Sequence, residues 1–259
     1  MSDQAAIWAR LARLTPARIG LGRAGSGQTT RSVLGFGLAH AQARDAVHTP
    51  LDAEAIRAGI EALGLPTLAA ASRAEDRATY LRRPDLGRSL ARTSRDALAA
   101  AAGETHDLAL VVADGLSARA IHENAVPFLE AVRPRADEAG WRLAPVVVAT
   151  QARVALGDAV GEALRARAVA VLIGERPGLS SPDSLGIYLT FGPRPGRSDA
   201  ERNCISNVRA AGLAPDKAAF RLAWLLDQAL ARGLTGVHLK DESDRVLEAP
   251  DRPAALPQG

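Results

Sequence analysis

The sequence predicts an α/β fold: a mostly parallel sheet with helices on both faces, preceded by a helical N-terminal region. Three observations carry this. From Asp107 onward, short apolar runs alternate with helix-like segments, the pattern of strands joined by helical crossovers. Residues 168–173, AVAVLI, are an apolar run rich in β-branched residues, with Ala/Arg-rich helix-like sequence before and Gly/Pro after, as in a strand buried on both faces. No convincing strand stands out before residue 107. The 259 residues suffice for one large or two modest domains. They divide in this reading into a helical region, 1–103, and a sheet domain, 104–259, with Ala-Ala-Gly-Glu at 101–104 as the boundary.

In chain order, residues 5–15 carry Ile7, Trp8, Leu11 and Leu14 at helical spacing and stop at Pro16. Gly20-Leu21-Gly22-Arg23-Ala24-Gly25 is a literal GxGxxG, with Asp45 about twenty residues on, as a dinucleotide fingerprint asks. Its context argues against that use. Only three residues separate Pro16 from Gly20, too few for the required strand, and Asp45 lies in helix-like sequence. A glycine-rich connection is the simpler reading, and a stand-alone nicotinamide-dependent oxidoreductase is the rival. Residues 30–47 have mixed helical spacing and lead to His48, a ligand or base candidate whose place near a helix end equally suits capping. Residues 52–63 open on acids and stop before Gly64, and residues 73–100 add YLRRPDLG and an Ala-rich helix.

Residues 108–113 are the first strand, and Asp114-Gly115-Leu116-Ser117 is its exit, with Ser117 placed to cap the next helix, which carries His122 as a structural residue. Asp114 binds a ligand or closes a turn; both readings stay open. Residues 145–149 form a second strand, 157–167 a helix with Asp158 in its first turn, and 168–173 a third strand. Residues 185–191 are the fourth and last clear strand before a Gly/Pro/Arg loop at 192–197. Residues 215–232 are a helix from Pro215 to Gly233. Residues 236–240 read as a last strand, and 241–259 as a loose tail.

Composition narrows the function. No apolar stretch is long enough to span a bilayer, and the N-terminal residues have Asp3 and no apolar core of a signal peptide. The single cysteine, Cys204, excludes an internal disulfide and a cysteine-based metal cluster, and its plain reading is a small buried hydrophobe. The expected compartment is the cytoplasm. Net charge is +3, with Lys217 and Lys240 the only lysines, no long basic run and 3% aromatics, so nucleic-acid binding is not expected.

Ligands of open α/β sheets sit at the carboxyl ends of the strands. Strand–helix alternation makes the second region Rossmann-like and collects the loops after Ala149, Ile173 and Phe191 at one sheet edge. Val154, Glu175 and Cys204 lie on or beyond those loops. An apolar residue, an acid and a small soft residue line a pocket in this reading, without forming a catalytic machine.

The ordered set ARIGLGRAG, YLRRPDLG at 80–87, ADGLS at 113–117, IGERPGLS at 173–180 and NCISNVR at 203–209 resembles the small subunit of ethanolamine ammonia-lyase, from about residue 8 to 212. The resemblance implies a hetero-oligomer with a large barrel subunit that holds the substrate. It implies conversion of ethanolamine to acetaldehyde and ammonia by a radical route, with adenosylcobalamin between the subunits. It further implies that this chain meets cobalamin at Val154, after Arg153, at Glu175 of GERPG, and at Cys204 of CISN. None of His40, His48, His106, His122 or His238 has an aspartate two residues before it, so no DxHxxG motif replaces the cofactor's own base and the base-on form is expected. Some family members carry a longer N-terminal extension associated with packing into a bacterial microcompartment, for which residues 2–14 are a poor substitute. The segment after Lys240 has no match in this resemblance. A non-catalytic partner-binding protein sharing the fold is the second rival.

Overall fold

A computed structural model describes residues 3–15 and 17–248. The order is α1 (Asp3–Leu11), α2 (Thr30–His48), α3 (Ala53–Ala62), β1 (Thr67–Ala71), α4 (Arg77–Arg82), α5 (Pro84–Gly87), α6 (Arg92–Ala101), β2 (His106–Ala113), α7 (Ala118–Ala139), β3 (Val146–Thr150), α8 (Leu156–Ala163), β4 (Ala166–Gly174), β5 (Leu185–Phe191), β6 (Asn203–Val208), α9 (Pro215–Arg232) and α10 (Ser243–Glu248). The six strands form one sheet in the order β1-β3-β2-β4-β5-β6. The first four run parallel; β5 and β6 are antiparallel to their neighbours.

The central strands are apolar on both sides, because each side meets helices. Leu108, Leu110 and Val112 of β2 join the core under α3, α7 and α9. Ala109, Val111 and Ala113 alternate into the core under α6 and α8. The predicted α/β architecture with helices on both faces is therefore present. Local signals hold where they were strong. Ser117 accepts from Ala120 N at 3.2 Å to cap α7, and α9 runs from Pro215 to a left-handed Gly233.

Other expectations are corrected. The first hundred residues are not all helical, because β1 pairs along β3 as an edge strand. Its sequence, TLAAA, is alanine-rich and has no strand propensity of its own; pairing overrides that. α1 ends at Leu11 rather than residue 15, and Pro16, its expected stop, lies outside the described residues. α8 stops at Ala163, and left-handed Arg165 turns the chain into β4 two residues before the expected start. Residues 203–208 are a strand that sequence reading did not find. Residues 236–238 form a 3-10 turn instead of a strand, with Gly236 packed so tightly on Ala200 O that a Cβ would lie 2.1 Å away. Part of the expected loose tail is α10, tied to α9 by the Arg221–Asp244 ion pair at 2.7 Å; the segment beyond residue 248 lies outside the described residues.

No strand precedes Gly20 among the described residues, and the next helix begins only at Thr30. The context that a dinucleotide fingerprint requires is missing. Among the described residues, no helix is long and apolar enough to cross a membrane.

Candidate functional site

The exits of β2, β3 and β4 meet at the carboxyl edge of the sheet. Asp114, buried at the end of β2, organises them. Its Oδ1 accepts from Gly115 N and Ala152 N, each at 3.0 Å, and its Oδ2 from Gln151 N at 2.9 Å. Arg77 approaches Oδ2 at 3.5 Å. Burial pushes this carboxyl above its ordinary range, against the pull of the three amides and the arginine. Of the two readings left open, Asp114 closes the turn. It also staples the β3 exit, where Gln151 is held at φ 53°.

The next residues of that exit rest on a tyrosine. Arg153 lies over the Tyr80 ring with its guanidinium carbon 4.3 Å from the centroid, and Arg77 lies at 4.8 Å. Tyr80 is fully buried and its hydroxyl donates to Ala152 O at 3.2 Å. Gly87 seals the contact: a Cβ there would stand 2.9 Å from the ring and 3.0 Å from Arg153 Cγ. The YLRRPDLG segment thus builds a platform under Arg153 and Val154. Arg153 Nε is buried and has no hydrogen-bond partner.

Glu175 follows β4. Its own N–H donates to Ser184 O at 2.9 Å. Its carboxylate accepts from the Ser184 hydroxyl, from the Ser206 hydroxyl at 2.6 Å and from Asn207 N at 3.4 Å. Ser206 and Asn207 sit where the β5–β6 register slips, and Asn207 is left-handed at φ 59°. The SN of CISN is therefore a bulge that turns two donors onto Glu175.

Val154 and Glu175 line one cavity of 440 Å³ with Tyr80, Arg153, Leu116 and Tyr188. Cys204 borders this cavity rather than lining it. It pairs with Tyr188 across β5–β6 and is exposed. Desolvation, and after it the Glu175 carboxylate, push the thiol up against the pull of the Tyr188 hydroxyl. The same influences, led by burial, raise the Tyr188 phenol.

One expected route to this grouping is wrong. The loop after Phe191 does not join the other two, because β5 runs backward and sets Phe191 beside Ala168 at the opposite end. Cys204 reaches the site because β6 reverses direction again. Tyr80, Arg153 as a stacked group, Tyr188 and Ser206 are not named as site residues from sequence; the signals are that Tyr80 opens YLRRPDLG, Ser206 lies in NCISNVR and Arg153 stands at a strand exit. His122 is structural, its Nε2 accepting from Asp52 N at 3.0 Å. His48 sits in the last turn of α2, and no cluster of potential metal ligands occurs among the described residues.

Comparison with known proteins gives a consistent relationship. The ethanolamine ammonia-lyase light chain family profile matches residues 5–240. The chain is 56% identical over 239 residues to the ethanolamine ammonia-lyase small subunit of Rhodopseudomonas palustris, covering 92% of this chain and 91% of that one. It is 57% identical over 235 residues to the protein of the same description from Bradyrhizobium diazoefficiens, covering 90% of each. The small subunit from Pseudomonas aeruginosa is 54% identical over 240 residues, covering 92% of this chain and 88% of that protein. With matches of this length and identity, the chain belongs to the ethanolamine ammonia-lyase light chain family and is a subunit of that lyase.

Proposed function

We propose that this chain pairs with a large subunit in a hetero-oligomer and holds adenosylcobalamin, base-on, at their interface through Val154, Glu175 and Cys204. The large subunit carries the substrate site, and the complex converts ethanolamine to acetaldehyde and ammonia by a radical route. The observation that carries this reading is convergence: Val154 and Glu175 line one cavity, and Cys204 borders it through Tyr188.

The residues fit such a group. A corrinoid presents amide donors at its rim and is larger than the ligands that cavities of this size enclose, which suits a site that takes one edge of it. A carboxylate offers about four acceptor positions, and Ser184, Ser206 and Asn207 use three. Glu175 keeps one for an incoming amide. Val154 supplies apolar contact and the Arg153 guanidinium a positive charge at the cavity wall. Among the described residues, no histidine lines the cavity. The cobalt–carbon bond supplies the radical chemistry. This chain's residues bind, orient and exclude water.

The test is co-purification with the large subunit, addition of adenosylcobalamin, an absorbance spectrum after removal of free cofactor, and an ethanolamine deamination assay. A complex with a base-on spectrum and activity that needs both chains supports the reading. A complex that retains no cobalamin overturns it.

A further inference from the structure

Helix α2 is built inside out. Its buried residues are Ala39 and Ala46, about 20° apart around the helix axis. Its large apolar residues, Val33, Leu34, Phe36 and Leu38, are all exposed and span about 200° on the other side. Leu34 is 68% exposed and Phe36 49%. A surface helix ordinarily turns such a stripe inward. In the middle of this outward arc stands Gly37, with nothing within 4 Å of where a Cβ would be. Glycine weakens an exposed helix, and at this position it leaves room for another surface to approach. Trp8 and Leu11 of α1 are also exposed, and Trp8 lines an open groove of 1110 Å³ with residues of the 18–28 loop that leads to α2.

Charge says what kind of surface would fit. Residues 1–48 hold six arginines against Asp3 and Asp45, a net +4, whereas the whole chain is +3 and the remainder is therefore −1. Position says which partner it would be. Arg77, stacked on Tyr80 at the candidate cofactor site, donates from Nε to Val47 O in the last turn of α2 at 2.7 Å. Arg18 donates to Leu179 O, in the loop after Glu175, at 3.3 Å. Arg18 also lies over the Phe36 ring at 5.9 Å, so one arginine joins the apolar face of α2 to the loop after Glu175.

We propose that the outward face of α2, together with the exposed side of α1, is the seat of the large subunit, which meets it with an apolar groove rimmed by carboxylates. This rests on the interfacial-cofactor reading above, because a partner that covers that edge reaches α2 as well. A second copy of this chain is a poorer occupant, since its own α1–α2 region brings the same positive charge.

The experiment co-expresses the full chain with the large subunit and compares Leu34→Asp/Phe36→Asp with wild type. Both side chains are exposed in the chain alone, so its circular dichroism stays unchanged and its melting falls by only a few degrees, the helix-propensity cost of two aspartates, while recovered complex falls at least tenfold. Gly37→Leu, a better helix former, preserves the lone chain's fold and also lowers recovery. Full recovery of the double variant overturns the proposal. If that complex still retains cobalamin, the cofactor reading stands while the docking surface falls. Loss of self-association by the lone chain, with recovery of complex unchanged, assigns the face to a second copy and likewise overturns it. Failure of the wild-type chain to capture the large subunit sinks the interfacial-cofactor reading and this surface with it.

Discussion

The Ser206 hydroxyl donates to Glu175 Oε1 at 2.6 Å, joining the exit of β4 to a bulge in β6 across the intervening β5. The two residues are 31 apart in sequence, and each stands in a short motif that gives no sign of the other. The contact fixes the carboxylate at the edge of the cavity, with one acceptor position left over.

Glu175→Ala therefore leaves assembly with the large subunit intact and weakens cobalamin retention. Hydrogen bonds to a charged group are worth about 1.5–3 kcal/mol, or roughly a 10- to 100-fold loss of affinity. Glu175→Gln, which keeps one carbonyl acceptor, falls between. Equilibrium titration of the purified complex measures this. Wild-type affinity in the alanine variant removes Glu175 from the site.

Gly186→Ala displaces the same carboxylate without deleting it. The added Cβ would stand 2.9 Å from Glu175 Oε1 and 3.1 Å from its Cγ. The far end of a flexible side chain gives way before backbone does. The expected stability loss is about 1 kcal/mol, the low end for overpacking. Cobalamin affinity falls in the direction of Glu175→Ala. A variant that melts like wild type and binds cofactor like wild type would show that the position of this carboxylate does not matter.

Sequence legibility follows from what each element depends on. β2, β3 and β4 are readable because burial on both faces forces continuous apolar runs. α9 is readable because Pro215 and Gly233 mark its ends locally. β1 is unreadable because TLAAA becomes a strand only by pairing with β3. β6 is unreadable because its bulge breaks the two-residue alternation and leaves Cys204, Ser206 and Asn207 exposed. Within the site, Val154 and Glu175 follow from the strand-end rule. Tyr80 does not, since its role is to carry Arg153, 73 residues away, and no local pattern encodes that contact.

Glu201 gives a pH prediction. Its carboxyl accepts from Ser198 N at 2.8 Å and the Ser198 hydroxyl at 3.0 Å, and it pairs with Arg197. The Ser198 amide first, then Arg197 and the Ser198 hydroxyl, hold it down from 4.5 to about 2. A depressed carboxylate stabilises the fold above its unfolded pKa, and that contribution is lost as pH falls through the folded value. Wild type therefore loses this share of stability between pH 4.5 and about 2. Denaturant unfolding across that range reads it. Glu201→Gln is less stable than wild type at neutral pH, shows a shallower acid slope, and converges with wild type near pH 2. Parallel slopes would contradict the assignment.

Arg202 and Asp158 form the deepest ion pair among the described residues, each side chain 1% exposed. Both guanidinium Nη atoms reach the carboxylate at 2.7 Å, and Nη1 also donates to Thr190 Oγ1 at 2.9 Å. The pair ties the first turn of α8 to the start of β6, two residues before Cys204. Asp158→Ala removes the buried carboxylate and leaves Arg202 only the exposed Asp199, at 3.2 Å from its Nε, so the expected loss is about 3 kcal/mol, the low end for breaking a buried pair. For a chain of this size that lowers the melting temperature by about 10 °C. The loss measures the abandoned charge rather than the net worth of the pair. Asp158→Leu combined with Arg202→Met removes both charges and recovers most of the stability. Calorimetry of the single and double variants distinguishes the two. Equal losses would mean that the pair contributes packing or a specific backbone anchor, through Arg202 and Arg197 O at 3.0 Å, that no apolar pair replaces.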